Sequence, residues 1–323
     1  MKTSYTEPLS NGTILQEKYQ IVSNTVNAGG FGRIYKARNN NDGTQMAIKE
    51  FCLNEEYYEK RYFSEMTPYT MAQEESMQQK LRSFFDREVE LLSILNGIPG
   101  IRIPIIEGGV FDEYGRSFYA MNFIEGQTIT ETVDTDGVMS EEEAIRYIVQ
   151  VGKVLHNAHD VGLIHCDVSP NNIIVTRNGA VLVDFGNAKA YDEEASRKKI
   201  QDRNPIVVDT DYLTAMETKD RTSVLGFERV STRIGTMGFI APDTIFGTKQ
   251  GDVFSLAATM FFALTGEKPS WNPDRSQKDL EDKCVGKKTI EALMNALNMY
   301  TEDIAAFINE LPSEEVIRSL LNY

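Results

Sequence analysis

The chain has 323 residues, 41% apolar and 25% charged, an ordinary balance for a globular protein and enough for one large domain or two small ones. Its formal charge of -15 argues against nucleic acid, because a phosphate backbone needs clustered lysine and arginine; such a charge could steer basic peptides, although it is also common in soluble proteins. Apolar runs such as Leu256–Leu264 are too short to span a bilayer, and the polar start from Met1 to Glu7 forms no apolar leader.

Residues 1–14 are polar, with Pro8, Asn11 and Gly12, and read as a flexible lead-in. Tyr19–Val26 and Gly32–Ala37 read as strands around a glycine turn, and Asn39-Asn40-Asn41-Asp42-Gly43 turns the chain into a third strand, Gln45–Phe51. Residues 54–80 are acidic, aromatic and interrupted by Pro68. From about Met77 to Leu95 the spacing predicts a helix whose apolar face carries Phe84, Phe85, Leu91, Leu92 and Leu95. Glu88 lies in that stripe, so a buried partner is expected for its carboxylate. Strands near Arg102–Gly108 and Ser117–Asn122 follow, joined by a turn at Asp112-Glu113-Tyr114-Gly115.

After Gly126 the pattern turns helical. Ser140 and Glu143 form a capping box opening a helix to about His159. Short strands surround Asp167, a polar stretch runs from Asn187 to Gly235, and helices are expected at Gly251–Leu264, Leu280–Asn298 and Thr301–Tyr323. A β-rich third followed by an α-rich remainder predicts an α+β fold of two lobes with a cleft between them. Cys52, Cys166 and Cys284 are scattered and form no CxxC pair, which fits a reducing, cytoplasmic setting and neither a disulfide framework nor a zinc site. His156 and His159 sit on a helical pattern as surface or core residues.

The chemistry gathers in His165-Cys166-Asp167-Val168-Ser169-Pro170-Asn171-Asn172, followed twelve residues later by Asp184-Phe185-Gly186. Phosphoryl transfer needs one group to orient the attacking hydroxyl and two oxygen ligands to hold magnesium on the phosphates. Asp167 suits the first role, and Asn172 and Asp184 the second. Upstream, Asn27-Ala28-Gly29-Gly30-Phe31-Gly32-Arg33-Ile34 lies between two strands, a context that excludes a dinucleotide fingerprint or a P-loop but lets backbone N–H groups close on phosphates.

Together these motifs resemble the eukaryotic-like (Hanks-type) serine/threonine protein kinases, over roughly Tyr19 to Trp271. The resemblance implies a two-lobed fold: a kinase N-lobe and hinge over residues 15–126, and a C-lobe over 127–323 with a long activation segment at 184–242. It implies binding of ATP and Mg²⁺. Asn27 (where a first glycine is usual), Gly29, Gly30, Gly32, Ile34, Ala47, Lys49, Met121 and Phe123 would line the nucleotide site, with Met121 as gatekeeper. Lys49, in Met46-Ala47-Ile48-Lys49, would contact the phosphates and pair with Glu88, while His165 and Phe185 would pack as an internal spine. Asp252 would brace the catalytic loop. Gly235-Thr236-Met237-Gly238-Phe239-Ile240-Ala241-Pro242-Asp243 resembles the end of an activation segment and implies a protein substrate carrying serine or threonine; autophosphorylation is expected, with Ser196, Thr210, Thr214, Thr218, Thr222, Ser223, Ser231 and Thr232 as candidate sites.

Cys166 replaces the usual arginine before the catalytic aspartate, and Ser169 the usual lysine after it, which predicts independence from loop phosphorylation and slower transfer. The usual late arginine has no counterpart after Trp271, so a divergent C-terminal end is expected. Bacterial members are most similar, many of which continue into a membrane helix or sensor; this chain reads as a soluble kinase or as a piece of a longer protein. A nucleotide-binding pseudokinase and a small-molecule phosphotransferase are the rival readings.

Overall fold

The computed structural model describes residues 7–28, 32–52, 71–190, 238–242, 247–270 and 272–312. Gly29, Gly30, residues 53–70, Thr236, Asp243, Trp271 and the candidate phosphosites lie outside them. The chain divides into two units, Met1–Asn96 with Pro104–Ile124, and Gly97–Ile103 with Glu125–Tyr323.

The first unit is built on a six-stranded antiparallel sheet in the order β1-β2-β3-β4-β6-β5. Its strands are β1 (Ile14–Leu15), β2 (Tyr19–Ala28), β3 (Gly32–Asn39), β4 (Gln45–Phe51), β5 (Ile106–Glu113) and β6 (Arg116–Asn122), with helix α1 (Met71–Asn96) against one face. Alternation in β4 sends Met46 and Ile48 to a core with Leu15, Tyr19 and Phe118, and Ala47 to a second core with Phe85 and Val89 of α1. Both faces are therefore buried, so Met46–Glu50 of β4 are enclosed without a break, the charged Lys49 and Glu50 included. Residues 7–14, expected as part of a loose lead-in, pack instead: Leu9 is buried in the first core, and the Gly12 and Ile21 N–H groups bond to Ile21 and Thr13 carbonyls.

That first face also holds a polar cluster. The Glu50 carboxylate, fully buried, accepts from Tyr35 Oη (2.5 Å), Arg33 Nη1 (3.1 Å) and Arg116 Nη1 (3.2 Å). Leu9 N–H donates to Tyr35 Oη at 3.2 Å. Burying a charge is tolerable when its lone pairs are filled in this way.

The strand expected at Arg102–Gly108 is displaced to Ile106–Glu113. Pro104 brings no N–H, and Asn96 accepts from Ile106 N–H and donates to the Pro104 carbonyl, so the segment up to Pro104 stays out of the ladder. At the other end Tyr114 and Gly115, with φ of 51° and 69°, form a two-residue hairpin loop. Pairing therefore extends through Asp112 and Glu113, which sequence reading assigns to the turn.

The second unit carries α2 (Ile129–Asp136), α3 (Glu141–Asp160), α4 (Lys249–Thr265), α5 (Pro273–Asp282), α6 (Lys287–Leu297) and α7 (Ile304–Glu310). A three-stranded sheet of β7 (Gln127–Thr128), β9 (Ile173–Thr176) and β10 (Gly179–Leu182) and a pair of β8 (Leu163–Ile164) and β11 (Lys189–Ala190) complete it. The capping box of Ser140 and Glu143 opens α3, and a second box, Thr128 with Glu131, opens α2. Helix α4 is buried along nearly its whole length and ends on Gly266 in the left-handed region, φ 77°. The single helix expected over Leu280–Asn298 is two helices. The Glu141 carboxylate, from α3, accepts from Gly286 N–H at 3.0 Å and from the Thr289 hydroxyl, capping α6 from outside and fixing a new start there.

Gly126 packs against β9 so closely that an added Cβ would lie 2.2 Å from the Val175 carbonyl oxygen. Gly126→Ala is expected to lower stability by about 2 kcal/mol or more, as read by urea denaturation, because a backbone atom cannot swing aside. Burial, followed by Glu50, pushes the Tyr35 hydroxyl up to about 12. A raised value means that stability is complete below the ordinary phenol value of 10.0 and is lost as pH climbs toward the folded-state value. Tyr35→Phe should abolish that alkaline slope, which is at most about 1.4 kcal/mol per pH unit, when denaturation curves at about pH 9 and about pH 11 are compared.

Candidate active site

The second unit holds the polar loop between β8 and β9. At its root is Asp252, in the first turn of α4, where a carboxylate also suits the helix dipole. It is 1% exposed, and its two oxygens accept the backbone N–H groups of His165 and Cys166, both at 2.9 Å, while Oδ2 lies 2.8 Å from His159 Nε2 on α3. One side chain thus fixes two consecutive peptide groups. Cys166 takes a left-handed backbone, φ 67°, so the chain reverses at the residue before Asp167.

His165 packs edge-on against Phe185 with ring centres 4.7 Å apart, and its Nδ1 accepts the Asp167 N–H at 3.3 Å. Burial, opposed by Asp252, holds this imidazole below its ordinary value. The ring is neutral at pH 7 and serves as a packing and accepting group.

Ser169, buried, starts a 3₁₀ turn over Pro170–Asn172, and Pro170 occupies its first position, where a missing N–H costs nothing. Asn172 Nδ2 donates to the Asp167 carbonyl at 2.9 Å. Only the amide nitrogen can donate, so that bond leaves Asn172 Oδ1 as an acceptor directed elsewhere. The β9–β10 hairpin pairs Ile173 with Leu182, and Val183 N–H bonds to the Asn172 carbonyl at 2.9 Å. Antiparallel register therefore brings Asn172 within one residue of Asp184, an exposed carboxylate with φ 63°. Asn187 Nδ2 donates to Asp167 Oδ2 at 3.1 Å and helps to orient that carboxylate.

Among the described residues no three His, Cys, Asp or Glu side chains gather as a metal cage. One amide oxygen and one carboxylate fit Mg²⁺ instead, which keeps several waters and takes the rest of its octahedron from phosphates.

The first unit carries the other candidates. Lys49 on β4 bonds to both Glu88 oxygens at 2.8 and 2.6 Å, in a pair whose side chains are 10% and 3% exposed. The partner expected for the buried Glu88 is therefore Lys49. Ala47 and Met121 are paired across the ladder and share one apolar cluster, against which Ile34 and Phe123 also pack. Ile34 pairs in register with both Asn27 and Lys49. Gly32 sits where a Cβ would lie 3.0 Å from the Glu50 carbonyl oxygen and 3.2 Å from Lys49 Cε, so the strand approaches β4 closely at this point.

Sequence reading overlooked Asn187, whose signal is an amide directly after Asp-Phe-Gly. It also left His159 as an ordinary helical residue, because its partner Asp252 lies far along the chain and the pairing carries no local pattern.

The protein kinase domain family matches residues 21–318. A probable serine/threonine-protein kinase of Clostridium perfringens is 26% identical over 297 residues, covering 89% of this chain and 35% of that protein. Serine/threonine-protein kinase PknA of Mycobacterium tuberculosis is 26% identical over 268 residues, 80% of this chain and 49% of PknA. The chain thus spans half or less of the length of these relatives. Among solved structures, Rad53 residues 1–466 in complex with AMP-PNP superposes with a TM-score of 0.58 at 17% identity, covering 91% of this chain and 65% of that one. The fold is accordingly the α+β protein kinase fold, with a β-rich small unit and a helical large one. No helix among the described residues is long and apolar enough to cross a membrane.

Asp252→Ala would strip acceptors from two buried N–H groups at once. It is expected to cost about 3 kcal/mol or more in denaturation and to speed amide exchange at His165 and Cys166. Asp252→Asn, which keeps one carbonyl acceptor, should fall between the two.

Proposed function

This chain belongs to the protein kinase domain family, and we propose that it transfers the γ-phosphoryl group of ATP, with Mg²⁺, to serine or threonine hydroxyls of proteins, its own included. The observation that carries this reading is the loop fixed by Asp252, which holds Asp167 by Asn187 and sets Asn172 one residue from Asp184.

Asp167 orients the substrate hydroxyl and accepts its proton as the oxygen attacks, with Asn187 keeping the carboxylate turned. Asn172 Oδ1 and Asp184 are the ligands for Mg²⁺, which neutralises charge on the transferring group when bound. Lys49, held straight by Glu88, binds the α- and β-phosphates. Asn27, Gly29, Gly30 and Gly32 close backbone over them, and Ile34, Ala47, Met121 and Phe123 supply apolar surface for adenine. The names of the relatives support serine/threonine specificity, and the AMP-PNP complex of Rad53 supports ATP. A protein substrate rests on the segment ending at Asp243, and the domain limits at 126/127 and the cytoplasmic setting belong to the same reading.

A pseudokinase reading draws on one observation: Cys166 and Ser169, where the family usually carries cations, are neutral and buried. Intact-mass spectrometry after incubation with MgATP separates the two. Phosphate-sized increments are expected in the wild type, reduced roughly a hundredfold or more in rate by Asp167→Asn and abolished by Asp184→Asn. Nucleotide binding without any transfer, to itself or to a generic basic protein, would leave the pseudokinase.

A further inference from the structure

Positive charge collects locally in the helical unit. A cavity of about 510 Å³ is enclosed by α3, the β9–β10 hairpin and the segment 97–103. Arg102, Arg146, Lys153 and Arg177 line it, and no aspartate or glutamate does. In a chain with 33 basic and 48 acidic residues, four cations around one concavity without a carboxylate run against the composition.

The arrangement follows from the fold. Arg146, Gln150 and Lys153 recur at helical spacing on α3 and so share one face. Arg177 comes from the hairpin turn, and Arg102 from the segment that bonds alongside β10. Arg146 Nη2 donates to Tyr147 Oη at 3.1 Å, but its Nε is enclosed and makes no hydrogen bond within the protein. Burial foremost, and then the nearby Arg102, push Lys153 below its ordinary value.

We propose that this cavity binds a small organic anion carrying two or more phosphate or carboxylate groups. Guanidinium forks match the geometry of both groups, and an anion relieves the mutual repulsion of the cations. Ile101, Val154 and the Tyr147 ring offer apolar wall for a carbon skeleton. The volume lies in the range of small-molecule sites. A peptide added as an extra strand is disfavoured, because the outward N–H groups of edge strand β10 are taken: Ala180 bonds to Gln150 Oε1 at 2.7 Å and Leu182 to the Arg102 carbonyl at 3.1 Å. This inference does not rest on the phosphoryl-transfer reading.

The test is calorimetric titration of the full chain with pyrophosphate, without divalent metal and at fixed ionic strength. Saturable binding is expected, weakened about tenfold in each of Lys153→Gln and Arg177→Gln at an unchanged thermal midpoint. Arg177 is exposed on the hairpin turn, so its substitution tests the site without testing the fold. Equal binding by wild type and variants would place the anion elsewhere and overturn the proposal, as would no saturable binding at millimolar pyrophosphate. Tighter binding of a phosphoserine peptide than of pyrophosphate would overturn the assignment to a small ligand.

Discussion

The Asp252 carboxylate, buried at the start of α4, holds two adjacent backbone N–H groups and an imidazole nitrogen. A buried carboxylate is unfavourable unless each lone pair finds a donor, and here the donors belong to the loop that presents Asp167. The constraint runs both ways. The loop satisfies the carboxylate, and the carboxylate holds Cys166 in a left-handed conformation that a residue with a Cβ adopts at a cost of about 1–2 kcal/mol. Helix α4 can anchor it because that helix is enclosed on almost every side and cannot shift to relax the strain. From Asp167 onward the hairpin register places Asn172 and Asp184, so the positions of three polar groups trace back to one anchored turn.

The β-rich unit solves a related problem at consecutive residues of one strand. Lys49 and Glu50 point to opposite faces of β4, and each is buried. Glu50 is neutralised within the sheet by Arg33 and Arg116, whereas Lys49 reaches off the sheet to Glu88 on α1. Removing Lys49 or Glu88 would strand a buried charge, a loss on the order of 3–5 kcal/mol, whereas Glu50 keeps a second arginine when one is removed. The two sites also differ in what surrounds them. Glu50 is also bonded by Tyr35 and closed over by Leu9, a wholly internal cluster. Lys49 shares its face with Ala47, Ile34 and Met121, an apolar surface beside a cation, which suits a flat ring attached to phosphates.

The parts legible in the sequence are those whose signal is local. Ser140 and Glu143 three residues apart define a helix start, and Gln45–Phe51 is bracketed by an unmistakable turn. The loop around Asp167 stands out in the sequence because the chemistry proposed for it demands fixed short spacings. What escaped depends on residues distant in the chain. The break before α6 is imposed by Glu141, and no pattern near Gly286 announces it. The lead-in packs because Tyr35 and the first core lie within reach of Leu9, which a count of polar residues cannot reveal. The strand after Pro104 slipped because a two-residue loop at Tyr114–Gly115 uses fewer residues than the polar run around it suggests.

The two residues that depart from the family pattern fit this frame. Cys166 is 8% exposed and Ser169 is fully buried, each built into the turn that Asp252 and Pro170 define. A long cationic side chain at either position would need a route to solvent or to an anion. The positive charge that the family usually places beside the catalytic aspartate is therefore absent at both positions. Cationic side chains are instead concentrated on the face of α3 that borders the β9–β10 hairpin, and β10 leads within two residues to Asp184. An anion seated there would bear on the strand that leads to Asp184, so the charge missing beside Asp167 and the charge gathered behind β10 border one short piece of backbone.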